Sequence, residues 1–263
     1  MQHKPVIHPL GSPFIELQSI DSTNNYALTR IRERMAEHGT AFFAHEQTAG
    51  KGQMGRQWIS QKDSNIAMSL VLRPGSLQLS QQFWLSACIA VSVLNFLTRH
   101  AGDGTRIKWP NDLYWQDRKL GGILIENIVG ASRAPAGPGL PSTWDWAVTG
   151  IGLNINQTSF PPELPNPVSL KQITGKTFDT VLLAKDLCGD INDGFGQLFR
   201  NGFDEIYKLY NENIYKRGAT VKLKKNSAVF QTTIKAVSET GELVTHNGVF
   251  EERFAFGEIS WLL

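Results

Sequence analysis

Between Gln47 and Trp58 the chain reads Gln-Thr-Ala-Gly-Lys-Gly-Gln-Met-Gly-Arg-Gln-Trp. Gly50, Gly52 and Gly55 let a backbone approach a ligand closely and adopt positive φ. Successive backbone N–H groups in such a loop form a concavity for anions. Lys51 and Arg56 add positive charge, and Trp58 adds a flat apolar face. The set suits a nucleotide phosphate with a ring nearby. It equally suits a glycine-rich hairpin turn, and the loop alone leaves both open.

Four further segments carry groups able to bind or react. Ser22-Thr23-Asn24 offers two hydroxyls and an amide at a helix start. Lys108-Trp109-Pro110-Asn111-Asp112 places a cation, an amide and a carboxylate around a rigid proline. Lys119-Leu120-Gly121-Gly122 sets a lysine before a glycine pair that enters an apolar run ending at Glu126. Gly150-Ile151-Gly152-Leu153-Asn154 closes another apolar run with small residues and an amide. Each has a plainer reading: Pro-Asn-Asp as a turn, Gly-Gly as packing, Ser-Thr-Asn as a helix cap.

The elements around the loop decide between nucleotide folds. Gly50-x-Gly52-x-x-Gly55 matches the dinucleotide fingerprint, which must follow a strand and open a helix. Here Ala41-Phe42-Phe43-Ala44 precedes it as a strand. After the loop the chain turns polar over residues 61–65, and then Ile66–Leu72 is apolar enough for a buried strand. Strand–loop–strand argues against the dinucleotide fold. The phosphate-loop ending is missing too, because Gly52 rather than Ser or Thr follows Lys51.

Elsewhere the pattern predicts helices over residues 25–38, 79–99 and much of 181–215, and strands near 66–72, 106–109, 113–115, 122–129 and 146–154. Ser22 or Asp21 would cap the first helix, with Ala27, Leu28, Ile31 and Met35 as its apolar stripe. Residues 130–142, rich in Gly, Pro and Ala, read as a mobile surface loop. Beyond Arg217 come short strand-like runs, near 221–223, 230–234, 242–245, 249–250 and 259–261, with turns at Thr240-Gly241 and Asn247-Gly248. They predict a small β-barrel over 218–263 after a larger unit over 1–217. Lys216, Arg217, Lys222, Lys224 and Lys225 read as protection of a strand edge in preference to a nucleic-acid patch.

The chain has 263 residues, 41% hydrophobic and 19% charged, with a formal net charge of +2. That balance gives no electrostatic case for nucleic acid or a membrane surface. Two cysteines, Cys88 and Cys188, cannot build a disulfide framework and fit a reducing cytosol. No secretory leader is evident at the start. No uninterrupted apolar run reaches the roughly 18 residues of a membrane span; residues 84–97 read as a buried helix.

Taken in order, the five segments resemble the biotin protein ligases. That family shows Ser-Thr-Asn, then Gln-Thr-x-Gly-Arg-Gly-Arg-x-Gly-Arg-x-Trp, then Lys-Trp-Pro-Asn-Asp, Lys-x-x-Gly-Ile-Leu-x-Glu and Gly-Ile/Leu-Asn. The resemblance covers residues 17–156. It departs in the loop, where Lys51 and Gln53 stand at positions usually held by arginine. Lysine keeps the charge and loses the bidentate fork; Gln53 loses the charge.

The resemblance implies an α+β fold: a mixed-sheet catalytic domain like that of class II aminoacyl-tRNA synthetases, with a small SH3-like C-terminal barrel. It implies a short form without an N-terminal DNA-binding domain. The implied activity joins biotin to ATP, with Mg²⁺, as biotinyl-5′-AMP, then passes the biotinyl group to a lysine of a biotin carboxyl carrier protein. A homodimer is compatible with it. Lys119, Arg56 and Asp112 are the implied catalytic residues. Lys119 would sit at the biotin carboxylate and α-phosphate, and Arg56 at phosphate oxygens. Asp112 would orient or deprotonate the carrier lysine, bind a metal or only cap a turn. Biotin would contact Ser22, Thr23, Asn24, Gln47, Lys51, Gly52, Trp109, Gly121 and Gly122, besides Lys119. The nucleotide would contact Gly50, Lys51, Gln53, Met54, Gly55, Arg56, Trp58, Asn111 and Asn154, besides Lys119. Two rivals remain: a lipoate or octanoate ligase on the same fold, and a sensor that binds without transferring.

Overall fold

The computed structural model describes residues 9–130 and 143–262. The predicted loop at 130–142 therefore lies outside the described residues, apart from Gly130. Seven strands form the main sheet: β1 (Phe14–Leu17), β2 (Ala41–Ala44), β3 (Ile66–Leu72), β4 (Thr105–Lys108), β5 (Asp112–Trp115), β6 (Arg118–Gly130) and β7 (Thr143–Leu153). Their order is β1-β2-β3-β7-β6-β5-β4. Only β1 and β2 pair in parallel; every other neighbouring pair is antiparallel, so the sheet is mixed.

Alternation along the strands assigns the two faces. Ala41 and Phe43 of β2 join the large core, which also holds helix α2 (Gln82–Ala101), helix α4 (Thr180–Asn201) and helix α5 (Asp204–Glu212). Phe42 between them joins a smaller cluster with Val71, Val148 and Ala27 of helix α1 (Thr23–Arg32). Both faces are covered near β2 and β3, which explains why β3 reads as one apolar run. Ser69 interrupts it, on the α1 side.

Helix α1 is shorter than its pattern predicts. Arg34 at φ 60° turns the chain out of the helix, and Met35, predicted for the apolar stripe, is exposed. Ser22 occupies the N-cap position without a side-chain cap bond, while the Asp21 carboxylate accepts from Asn25 Nδ2 at 2.7 Å. With its preceding turn, α2 is long and apolar enough to cross a membrane by composition; 67% of that window is buried inside the protein, as a core helix requires. The 181–215 region breaks at Gly202, φ 83°, into α4 and α5. Asp179 caps α4 by accepting from Val181 N and Leu182 N, both at 3.0 Å. Two elements carried too little pattern to be predicted: β1, and the five-residue helix α3 (Leu170–Thr174), which a Ser169–Gln172 capping box starts and Gly175 ends.

A second sheet holds β8 (Thr220–Lys225), β9 (Ala228–Val237), β10 (Leu243–His246), β11 (Glu251–Phe254) and β12 (Ser260–Leu262), in the order β11-β10-β9-β8-β12. Two expectations need correction here. Val249 and Phe250 lie in the turn before β11 and are exposed. The lysines of β8 do not guard an edge, because β8 pairs with β9 and β12 on its two sides. Lys222 and Lys224 point outward on either side of buried Leu223, as strand alternation demands.

The second sheet and its turns are tied to the rest of the protein by specific bonds. Trp109 Nε1 donates to Gly241 O at 2.9 Å, and Trp261 Nε1 donates to Trp109 O at 3.2 Å. Asn211 Oδ1 accepts from Val237 N at 2.7 Å, and its Nδ2 donates to Val237 O at 3.2 Å. Gly241, at φ 91°, lies against the Phe83 ring, where a Cβ would come within 2.9 Å.

Candidate active site

A cavity of about 850 Å³ opens over the α1 face of the main sheet and reaches the second sheet. Its floor follows from strand register. Gly122 of β6, Gly152 of β7 and Ala67 of β3 lie side by side in one row. The next row but one is Leu124, Gly150 and Ser69. Small residues in these rows let other groups lie directly on the backbone. A Cβ on Gly152 would stand 2.5 Å from Trp58 Cε2, and one on Gly150 would collide with the Asn24 amide. The Gly150-x-Gly152 spacing thus makes room for one side chain from α1 and one from the glycine loop.

The start of α1 builds a polar nook over β3 and β6. Gln47 Oε1 accepts from Thr23 N at 2.8 Å and from Thr23 Oγ1 at 3.1 Å. Ser69 Oγ bonds Thr23 Oγ1 at 2.8 Å and Asn24 Oδ1 at 2.6 Å. Asn24 Nδ2 donates to Glu126 at 2.8 Å, and Glu126 also pairs with Lys51 at 3.2 Å. Ser22, Thr23, Asn24 and Ser69 are buried. Buried polar groups are retained when they are bonded. The chain Gln47–Thr23–Ser69–Asn24–Glu126–Lys51 fixes the orientation of every member.

The glycine loop folds back on itself. Trp58 N donates to Gly50 O at 2.8 Å, and Gly52 N donates to Arg56 O at 2.7 Å. At its tip Met54, φ 54°, and Gly55, φ 74°, both enter the left-handed region. Lys51, Gly52, Gln53, Met54, Arg56 and Trp58 line the cavity. Gly50 and Gly55 do not; Gly50 serves the loop's own closure, since a Cβ there would stand 2.5 Å from Trp58 O. The loop lies between β2 and β3, the strand–loop–strand arrangement expected, and only a short 3₁₀ turn at Gln53–Gly55 falls within it.

The charged wall comes from β4, β5 and β6. Lys119 Nζ pairs with Asp112 Oδ1 at 2.7 Å above Gly122, where a Cβ would stand 3.3 Å from that oxygen. Lys108 stands opposite Asp112 in the backbone register of the β4–β5 hairpin. Its ammonium reaches Tyr114 OH at 3.4 Å and the rings of Tyr114 and Trp261 at 4.8 and 5.4 Å. Burial pulls Lys108 down to about 8; Asp112 opposes the shift and the nearby cations Lys119 and Arg56 add to it. Burial pushes the Tyr114 hydroxyl well up, so it stays protonated.

Several predicted residues serve the frame. Gly121 points away from the cavity: a Cβ there would collide with Leu153 and stand 2.7 Å from Gly152 O, which is the packing role. Asn111 Nδ2 donates to Ile123 O at 2.7 Å, tying the proline turn to β6. Asn154 Nδ2 donates to Lys119 O at 3.3 Å and Val168 O at 3.1 Å, so its amide is clamped from two sides. Trp109 lines the cavity while its indole N–H is spent on the second sheet. Ser69, Glu126, Lys108, Tyr114, Gly150, Gly152 and Trp261 were not assigned roles from sequence. Glu126 had a signal, as the acidic end of the apolar run after Lys119. Ser69 had one as the lone polar residue inside β3.

Among the described residues no three His, Cys, Asp or Glu side chains converge as a metal site. The carboxylates on the cavity wall are Asp112 and Glu163. That is compatible with a magnesium ion that arrives on phosphates and takes one or two protein carboxylates.

Comparisons of sequence and structure find similar proteins. A profile of the Biotin/lipoate A/B protein ligase family matches residues 16–134. The Bifunctional ligase/repressor BirA of Bacillus spizizenii is 31% identical over 246 residues, covering 91% of this chain and 72% of that protein. The Biotin--[acetyl-CoA-carboxylase] ligase of Paracoccus denitrificans is 29% identical, covering 87% of this chain and 92% of that protein. Among solved structures, the biotin protein ligase from Aquifex aeolicus in complex with biotin and ATP superposes with a TM-score of 0.74. It is 27% identical, covering 94% of this chain and 97% of that one.

Proposed function

The chain belongs to the biotin protein ligase family, and from that premise we propose that its cavity condenses biotin with ATP and transfers the biotinyl group to a carrier lysine. One observation carries the reading above the others. A hydrogen-bonded polar nook and a wall of three cations, Lys108, Lys119 and Arg56, meet over a floor of small residues in one cavity.

The nook suits the ureido ring of biotin. Gln47, Thr23, Ser69 and Asn24 are pre-oriented by their mutual bonds, and such a site rejects analogues that leave those polar atoms unpaired. Gly122, on the cavity floor beneath Lys119 and Asp112, keeps that part of the floor low for the bicyclic ring and tail. Trp58, seated on Gly152, offers a face to adenine. Asn154, whose amide hydrogens are already committed, would offer its carbonyl oxygen to the exocyclic amino group.

In the first step the biotin carboxylate attacks the α-phosphorus. A new P–O bond forms, and the bond to the β-phosphate breaks with its electron pair leaving on pyrophosphate. Two anions must be brought together and a third stabilised, so positive charge and positioning supply most of the catalysis. Lys119 would neutralise the attacking carboxylate and the α-phosphate. Arg56, on the loop, would cap phosphate oxygens. Magnesium bound to the phosphates would offset further charge.

In the second step the carrier lysine must arrive neutral. Asp112 is held by Lys119 until that ammonium turns to the bound adenylate; it would then be available to take the lysine proton. The partner is a biotin carboxyl carrier domain of a biotin-dependent carboxylase, and the setting a reducing cytosol. We read the chain as two units divided near residue 217, the second sheet being an SH3-like barrel behind a class II synthetase-like domain.

Biotin-dependent ATP–pyrophosphate exchange tests the first step. Exchange with biotin and none with lipoate or octanoate is the expected result; exchange with lipoate alone would overturn the biotin reading.

A further inference from the structure

Lys108 has no counter-ion of its own among the described residues. Asp112, the carboxylate beside it, is taken by Lys119 at 2.7 Å, and no other carboxylate among the described residues forms an ion pair with Lys108. What surrounds its ammonium is one neutral hydroxyl and two ring faces, from Tyr114 of β5 and Trp261 of β12. The remaining charged or titratable groups around it are Lys119 of β6, Arg56 of the loop and, behind Tyr114, Tyr215. Two of these are cations. A half-buried ammonium among like charges is unfavourable unless an anion comes to it. Burial first, and then the two neighbouring cations, depress the ammonium to about 8, against the opposing pull of Asp112.

The sheet order says which anion. The polar nook stands over β3, β7 and β6; Lys119 is on β6, Asp112 on β5 and Lys108 on β4. Phosphoryl transfer places attacking and leaving oxygens roughly in line across phosphorus. A carboxylate entering from the nook side past Lys119 therefore expels its leaving group toward β4.

Resting on the reading proposed above, we infer that Lys108 receives the β- and γ-phosphates of ATP and stabilises pyrophosphate as it leaves. Trp261, delivered by the second sheet, is a positioning residue that holds the ammonium over the cavity. No proton moves at Lys108: its fixed charge meets the charge that develops on the departing oxygen. Through Trp261 the second sheet thereby contributes to adenylation.

The test separates the half-reactions. Exchange of pyrophosphate into ATP is measured with biotin for the wild type, Lys108→Met and Lys108→Arg. Transfer to a carrier domain is measured with biotinyl-5′-AMP supplied. Removing one such donor lowers rates by about 100-fold or more. Lys108→Met should show that loss in exchange while transfer from supplied adenylate changes less than about twofold; Lys108→Arg should keep exchange within about tenfold. Wild-type kcat/KM for ATP in exchange, which reports the unliganded protein, should fall as pH rises through about 8, where the free ammonium loses its proton, and Lys108→Arg should remove that fall. Equal losses in both half-reactions, unchanged exchange in Lys108→Met, or an alkaline fall that persists in Lys108→Arg would overturn the inference. The arginine profile decides even if the methionine variant misfolds. No exchange in the wild type would overturn the ligase reading and this inference together.

Discussion

Gly152 lies flat beneath the indole of Trp58: a Cβ on Gly152 would come within 2.8 Å of Cδ2 and Cζ2 and within 2.5 Å of Cε2. The tryptophan of the glycine loop is thus seated on a strand far along the chain. Its placement depends on the absence of one methyl group.

Gly152→Ala should therefore lift Trp58 without disturbing the β6–β7 pairing, since alanine fits an extended backbone. The expected outcome is a KM for ATP raised about tenfold or more, the KM for biotin changed far less and thermal unfolding shifted by only a few degrees. An unchanged KM for ATP would refute the seating role.

Lys119→Ala should abolish adenylate formation, by about 100-fold or more as for a lost oxyanion donor, while the circular dichroism spectrum stays native. Asp112→Ala should lower transfer from supplied adenylate more than it lowers pyrophosphate exchange. A folded Lys119→Ala protein with normal exchange, or equal losses in both steps for Asp112→Ala, would remove these assignments.

Glu126 ties Lys51 of the loop to Asn24 of α1, at 3.2 and 2.8 Å. Glu126→Gln can keep a bond to Asn24 and loses the ion pair. Partly exposed pairs of this kind contribute up to about 1 kcal/mol, so biotin affinity should weaken by a few-fold, with the loss shrinking at high salt. Calorimetry at two ionic strengths measures it; a salt-independent effect would contradict the electrostatic account.

Gln53 stands on the cavity wall where the family usually has arginine. Gln53→Arg restores a charge and a fork for phosphate oxygens. Release of biotinyl-5′-AMP should slow by about tenfold, read by stopped-flow fluorescence, and an unchanged rate would dismiss the idea.

The range of each interaction decides how legible it is in the sequence. The strand–loop–strand setting of the glycine loop was legible because hydrophobic runs and glycines are local signals. The same holds for the apolar β3 and for the glycine that weakens the helical pattern at Gly202. Motif residues such as Thr23, Gln47, Lys119 and Asp112 were legible as a set only because five segments occur in one order. Their partners were not. Ser69 meets Thr23 and Asn24 only once α1 packs on β3. Trp261 reaches Lys108 from the far end of the chain; its strand-like run was legible, but nothing local says which residue it would meet. Gly121 and Gly122 look alike in sequence; strand alternation sends one into the core against Leu153 and leaves the other on the cavity floor. The end of α1 was misjudged because Arg34 adopts a left-handed conformation that its residue type does not advertise.

The central claim is that this one cavity activates biotin and passes it on. Incubating the protein with biotin, MgATP and a biotin carboxyl carrier domain, and then weighing the carrier by mass spectrometry, tests it most directly. The account predicts a mass gain of a single biotinyl group on one lysine, absent when biotin or ATP is left out. An unchanged carrier mass would contradict it.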